Sequence, residues 1–117
     1  MTARGLFALV VLTLASPACL AAVCETENYF VTITEHCEDA GVFCRNVTYE
    51  GTNKRTRKSL RLKGSVVVRT CGDGVTPCAM EGYEFFSGPY RYAVTRERWL
   101  WVTRDGKTIL EEKCRPE

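Results

Sequence analysis

Beyond its first two dozen residues the chain reads as short alternations of apolar and polar positions broken by turn residues, the period-two signature of half-buried strands. Over residues 28–35, Tyr29, Val31 and Ile33 alternate with Phe30, Thr32 and Thr34. Over 45–50, Val47 and Tyr49 share a face. Over 58–69, Leu60 and Leu62 alternate with Arg61 and Lys63, and the run continues past Gly64 through Val66, Val67 and Val68. Segments 82–86, 90–95, 98–103 and 107–112 complete the set. No window of helical length carries an apolar stripe with a period of 3.6. The fold class expected is therefore all-β: an antiparallel meander of seven or eight strands, curled into a small barrel or sandwich.

Turn chemistry supports this reading. Asp105-Gly106, between two alternating runs, is the strongest short hairpin signal, because both central residues need positive φ. Gly51-Thr52-Asn53, Gly72-Asp73-Gly74 and Ser87-Gly88-Pro89 mark further turns. A two-residue turn at Asp105-Gly106 sets Arg104 opposite Lys107, Val102 opposite Ile109 and Trp101 opposite Leu110. A two-residue turn at Arg96-Glu97 sets Val94 opposite Trp99, Ala93 opposite Leu100 and Tyr92 opposite Trp101. Two faces follow. One carries Tyr90, Tyr92, Val94, Trp99, Trp101 and Leu110, and its aromatic area assigns it to the core. The other carries Ala93, Leu100, Val102 and Ile109 among Arg91, Arg104 and Glu111. It is either covered by an N-terminal strand or loop, or left as a contact patch.

The first 22 residues have a different texture. Arg4 precedes a ten-residue stretch, 5–14, apolar but for Thr13, and a small-residue segment, 15–22, the layout of a secretory signal peptide cut after Ala21 or Ala22. A stretch of ten residues is too short to cross a bilayer, which takes about 20. Cys19 raises the alternative of a lipid-modified cysteine, but Ser16-Pro17-Ala18 lacks the aliphatic residue three positions upstream that such signals carry. The expected domains are a leader, 1–22, and a single β domain, 23–117, in the periplasm or secreted.

Removing the leader also removes Cys19, so seven cysteines become six. Six allow 15 pairings. The spacings favour Cys37–Cys44 and Cys71–Cys78 as staples of short loops, with Cys24–Cys114 tying the two ends. A small exported domain with a limited core is where such staples are expected. A metal site is disfavoured, because structural zinc prefers cysteine pairs two to four residues apart. No Cys-x-x-Cys redox pair is present.

The catalytic inventory is thin. His36 is the one histidine, which disfavours imidazole-based triads. The carboxylate pairs Glu38-Asp39 and Glu111-Glu112 are adjacent in sequence, so on strands each pair points to opposite faces. No glycine-rich phosphate loop opens a helix. Neither an enzyme nor a cofactor is expected. A formal charge of +2 with 26% charged residues does not describe a nucleic-acid binder. The one basic run comprises Lys54, Arg55, Arg57, Lys58, Arg61 and Lys63. It reads as a dock for an anionic surface, lipid or polysaccharide, or as a solvated hairpin tip whose cations discourage edge-to-edge association. Asn46-Val47-Thr48 is a glycosylation sequon, meaningful only in a eukaryotic source.

The leader, the small all-β domain, the terminal cysteine pair and Ser87-Gly88-Pro89-Tyr90-Arg91-Tyr92 followed by Trp99 and Trp101 together resemble the bacterial periplasmic inhibitors of C-type lysozyme. The resemblance covers about the last third of the chain. It implies a small β-barrel whose Ser-Gly-x-x-Tyr loop enters the lysozyme cleft, with Ser87 and Gly88 as the positions carried over. The fourth residue after Ser87 is Arg91, flanked by Tyr90 and Tyr92, and the inner cysteines have no counterpart in the family pattern. The leading expectation is an exported, non-enzymatic domain that binds a macromolecular partner, as an inhibitor or immunity-type protein against a cell-envelope hydrolase, through Ser87, Gly88, Tyr90, Arg91 and Tyr92. The alternatives are an envelope-binding module using the basic hairpin, or a purely structural envelope protein.

Overall fold

A computed structural model describes residues 18–37 and 44–116. They form eight strands: β1 (Cys19–Glu25), β2 (Tyr29–Glu35), β3 (Val47–Asn53), β4 (Ser59–Thr70), β5 (Pro77–Ser87), β6 (Tyr90–Thr95), β7 (Trp99–Arg104) and β8 (Lys107–Lys113). All neighbours are antiparallel and follow chain order, so the chain is an up-and-down meander. The single sheet curls into a half-barrel. The expected all-β class holds, in the form of one curled sheet rather than a sandwich.

The concave face is the core. Val31 and Ile33 of β2, Val47 and Tyr49 of β3, Phe85 of β5, Val94 of β6 and Leu100 of β7 pack there, all buried. Two glycines allow the curl. Gly64 sits opposite Phe85, and a side chain there would strike the Phe85 ring and the Glu84 carbonyl. Gly82, at φ 142°, adjoins the register shift in which Val67 pairs with Gly82 but Val68 with Met80. That is a bulge, which bends the strand and sharpens its twist.

The two edges, β1 and β8, meet at one corner rather than along a ladder. Cys24 and Cys114 are disulfide-bonded there, with Cα atoms 4.9 Å apart. The Arg115 amide donates to the Glu25 carbonyl at 2.7 Å, and the Asn28 side-chain amide donates to Glu112 Oε2 at 2.8 Å. Lys54 Nζ reaches Glu25 Oε2 at 2.6 Å and the Thr26 carbonyl at 2.7 Å. Cys37–Cys44 and Cys71–Cys78 are the other two disulfides, so the three pairings favoured by spacing are the three of the structure. Three disulfides are consistent with an oxidising, exported location.

Several expected boundaries shift. Gly51-Thr52-Asn53 lies inside β3, and the turn falls at 54–58. β5 begins at Pro77, five residues before the expected 82. β1 was not anticipated. It starts at Cys19 and runs through the expected cleavage point, so a cut after Ala22 would leave Val23–Glu25 of it. The rest of the expected leader, 1–17, and the Glu38-Asp39 pair lie outside the described residues.

The largest correction concerns register. The β6–β7 connection has three residues, Arg96 to Arg98, with Arg98 at φ 70° and its amide bonded to the Thr95 carbonyl at 2.9 Å. A three-residue loop closing in the left-handed region is one residue longer than the expected two-residue turn, and a one-residue slip exchanges the faces of a strand. Tyr92 therefore opposes Val102, and Val94 opposes Leu100. The β7–β8 turn forms as expected, with Asp105 at φ 49° and Gly106 at φ 81°. A bulge beyond it drops Ile109 out of register, so that Val102 opposes Leu110 and Trp101 opposes Glu111. Leu100 and Val102, expected on the second face, are core. Trp101, expected in the core, stands on the convex face at 37% exposure, and Ile109 is 56% exposed. Trp99 shares that convex side, with Lys113 Nζ 5.0 Å above its ring.

One acid-sensitive element lies in the β4–β5 loop. Asp73 accepts from the Thr76 hydroxyl and from the amides of Thr76 and Val75, both at 2.9 Å. These bonds, the Thr76 hydroxyl first, hold its carboxyl down to about 2 from an ordinary 3.8. The folded value is the depressed one, so the loop's stabilisation is complete above about pH 4 and disappears as pH falls toward 2. Protection of the Val75 and Thr76 amides, taken as exchange relative to the intrinsic rate at each pH, should fall over that interval and stay constant between pH 5 and 8. A loss of protection confined to neutral pH would contradict the assignment.

Candidate binding cleft

Four turns gather at one end of the half-barrel: β1–β2, β3–β4, β5–β6 and β7–β8. Near that end the concave face is not filled, and a cavity of about 260 Å³ opens between β2–β4 on one side and β6–β8 on the other. Its walls carry Tyr29, Tyr49, Tyr90 and Tyr92. Leu100, Val102 and Leu110 form its floor, and Asn53, Lys58 and Leu60 stand around it.

Strand parity explains the tyrosines. Positions 47, 49 and 51 point inward on β3, as do 90, 92 and 94 on β6. Gly51 leaves room for the Tyr49 ring to lie along the strand, since a Cβ at Gly51 would sit 2.6 Å from the Tyr49 hydroxyl. Tyr49 then packs on Phe85 (ring centroids 5.2 Å apart) and Tyr92 (5.5 Å), with Tyr90 6.5 Å beyond Tyr92. Among the described residues, none of these four hydroxyls is hydrogen-bonded to a protein group. Burial first, then the neighbouring phenols, pushes Tyr49 and Tyr92 above the ordinary tyrosine value. They therefore stay neutral and able to donate. Among the described residues no carboxylate lines the cavity, and Lys58 is the one cation that does. Neutral phenols over an apolar floor, with one ammonium at the wall, can stack against a ring, exchange hydrogen bonds and hold a negative charge.

The Ser87-Gly88-Pro89-Tyr90 segment is the β5–β6 turn beside this cleft. Ser87 pairs with Tyr90, and Gly88 at φ 57° precedes Pro89, the positive-then-negative order of a turn with glycine first. The Asp105 amide donates to the Pro89 carbonyl at 3.1 Å, and the Arg104 guanidinium lies 5.4 Å from the Tyr90 ring centroid. Two hairpin tips therefore brace each other. The five expected contact residues do not form one surface. Ser87 and Gly88 are at the tip, and Tyr90 and Tyr92 line the cleft. Arg91 faces the convex side, where its Nε and Nη2 hold Glu84 Oε2 at 3.0 and 2.9 Å.

The basic run also divides. Lys54 is spent on Glu25 and Thr26, Arg61 lies 3.7 Å from Glu50 across the β3–β4 ladder, and Lys63 donates to the Thr48 hydroxyl at 3.2 Å. Arg55, Arg57 and Lys58 carry no ion pair among the described residues. They share one tight turn, in which Asn53 Oδ1 accepts from the Arg55 and Thr56 amides at 2.9 and 3.1 Å.

Sequence reasoning placed Tyr90 and Tyr92 inward but left Tyr29 and Tyr49 out of the site. The available signal was tyrosine at inward positions near the same end of β2, β3 and β6. Set against known proteins, the chain matches no family model, no curated protein and no solved structure.

Proposed function

We propose that this is an exported, non-enzymatic β domain, periplasmic or secreted, that binds a macromolecular partner as an inhibitor or immunity-type protein against a cell-envelope hydrolase. The observation that carries this reading is the β5–β6 turn. It is exposed at Gly88 and Pro89, fixed by a glycine–proline pair and clamped by Asp105. A loop already held in one shape loses little freedom on docking, which is how inhibitors gain affinity. Its Ser87-Gly88 start is what resembles the lysozyme inhibitors, and the disulfides suit the compartment where such a target works. The test is turnover of a C-type lysozyme and of other envelope hydrolases in the presence of excess protein. One of them should be inhibited, with potency falling at least tenfold for Ser87→Arg and unchanged for the combined Arg55→Glu, Arg57→Glu and Lys58→Glu variant. Undiminished turnover across the panel would discard the reading.

The three cations of the β3–β4 turn that have no ion pair among the described residues favour a second reading, an electrostatic module for an anionic envelope surface. It requires retention on anionic vesicles or polysaccharide that falls steeply with salt and vanishes in the triple charge-reversal variant.

A further inference from the structure

The cleft is too small for an extended ligand, below the roughly 300–1,000 Å³ usual for drug-sized sites, and its chemistry narrows what fits. A purely apolar occupant would leave four phenolic hydroxyls without partners in a desolvated space, which is costly. A cation would meet Lys58 with no carboxylate to hold it. A ring with an apolar face and polar edges satisfies the walls and the floor together. A negative charge on that ring answers the ammonium. Arg55 and Arg57 are in the same turn as Lys58 and carry no ion pair among the described residues, so they add positive charge next to the cleft. That is where a polymer would run on.

We propose that the tyrosine-lined cleft is a carbohydrate subsite for one acidic sugar ring, a uronic-acid residue of an anionic polysaccharide. The carboxylate pairs with Lys58, the ring hydroxyls bond to Tyr29, Tyr49, Tyr90 and Tyr92, and flanking residues of the polymer cross Arg55 and Arg57. The proposal rests on reading this end of the half-barrel as the working end, and not on hydrolase inhibition.

The test titrates an oligogalacturonate hexamer, and a hexamer with its carboxylates reduced to alcohols, into the isotopically labelled, disulfide-intact protein at low salt, followed by amide chemical shifts. The acidic hexamer should saturate and move Tyr49, Gly51, Lys58 and Tyr92. The reduced hexamer should bind at least tenfold more weakly. Lys58→Ala should lose about tenfold, as removal of one charge-assisted contact does. Tyr92→Phe should lose several-fold with its thermal melt unchanged. Equal binding of the two hexamers, shifts confined to Arg55 and Arg57 with Tyr49 and Tyr92 unmoved, or no binding at millimolar hexamer would each overturn the proposal. Because hydrolase turnover is not the readout, failure here leaves the inhibitor reading standing, and failure of the turnover assay leaves this one.

Discussion

Replacing Cys24 and Cys114 together by alanine should lower the melting temperature by about 20–35 °C, about twice the loss from replacing Cys71 and Cys78. Cys24 and Cys114 are 90 residues apart, whereas Cys71 and Cys78 are seven apart. In the chain-entropy model, closing the longer loop contributes about 4.6 kcal/mol and the shorter about 2.5 kcal/mol. The local structure widens the difference. Both Cys24 and Cys114 are buried, at 1% and 2% exposure, so their loss also leaves a void. Without the link, the corner between β1 and β8 depends on the Arg115–Glu25 backbone bond, the Asn28–Glu112 side-chain bond and the partly exposed ion pair Arg115–Glu25. Exposed pairs of that kind contribute little each. Since whole domains are stable by only about 5–15 kcal/mol, the terminal link decides whether the half-barrel stays closed at ordinary temperatures. Thermal unfolding followed by circular dichroism measures this. Two double variants melting within a few degrees of each other would show that the corner is not what holds the sheet.

The second large effect separates two adjacent residues. Leu100→Ala should cost about 2–5 kcal/mol, the range for a fully buried leucine whose site cannot collapse. Trp101→Ala should cost about 1 kcal/mol or less, as for a position away from the core. Leu100 is 0% exposed on the concave face, while Trp101 is 37% exposed on the convex one. Residue size alone would order them the other way. Urea denaturation of the two variants gives the comparison, and a Trp101 variant less stable than the Leu100 variant would reverse the faces.

That contrast shows where the sequence stops being readable. Seven of the eight strands are visible as alternation because each has one wet and one dry side. The three disulfides are visible because loop-closing pairs and terminal pairs have simple spacings. β1 is hidden, since Cys19 to Cys24 continue the apolar texture of the preceding segment. The register of the last three strands is hidden for a different reason. It depends on whether Arg98 closes its loop in the left-handed region and on a bulge at Ile109, and neither residue type announces those conformations. The cleft suffers most, because it is made by curvature. Tyr29 and Tyr49 meet Tyr90 and Tyr92 across the sheet, at separations over which no local pattern speaks. Lys58 looks like one of six equivalent cations until the folded chain gives Lys54, Arg61 and Lys63 their partners.

The position of the cleft, and with it the whole reading of the working end, depends on which way β6 and β7 face. Cross-strand nuclear Overhauser contacts in the native protein measure that directly. The half-barrel requires Tyr92 to be seen opposite Val102 and Val94 opposite Leu100, with Ala93 against Trp101. Contacts from Tyr92 to Trp101 and from Val94 to Trp99 would instead turn the tryptophans inward and fill the space assigned to the ligand.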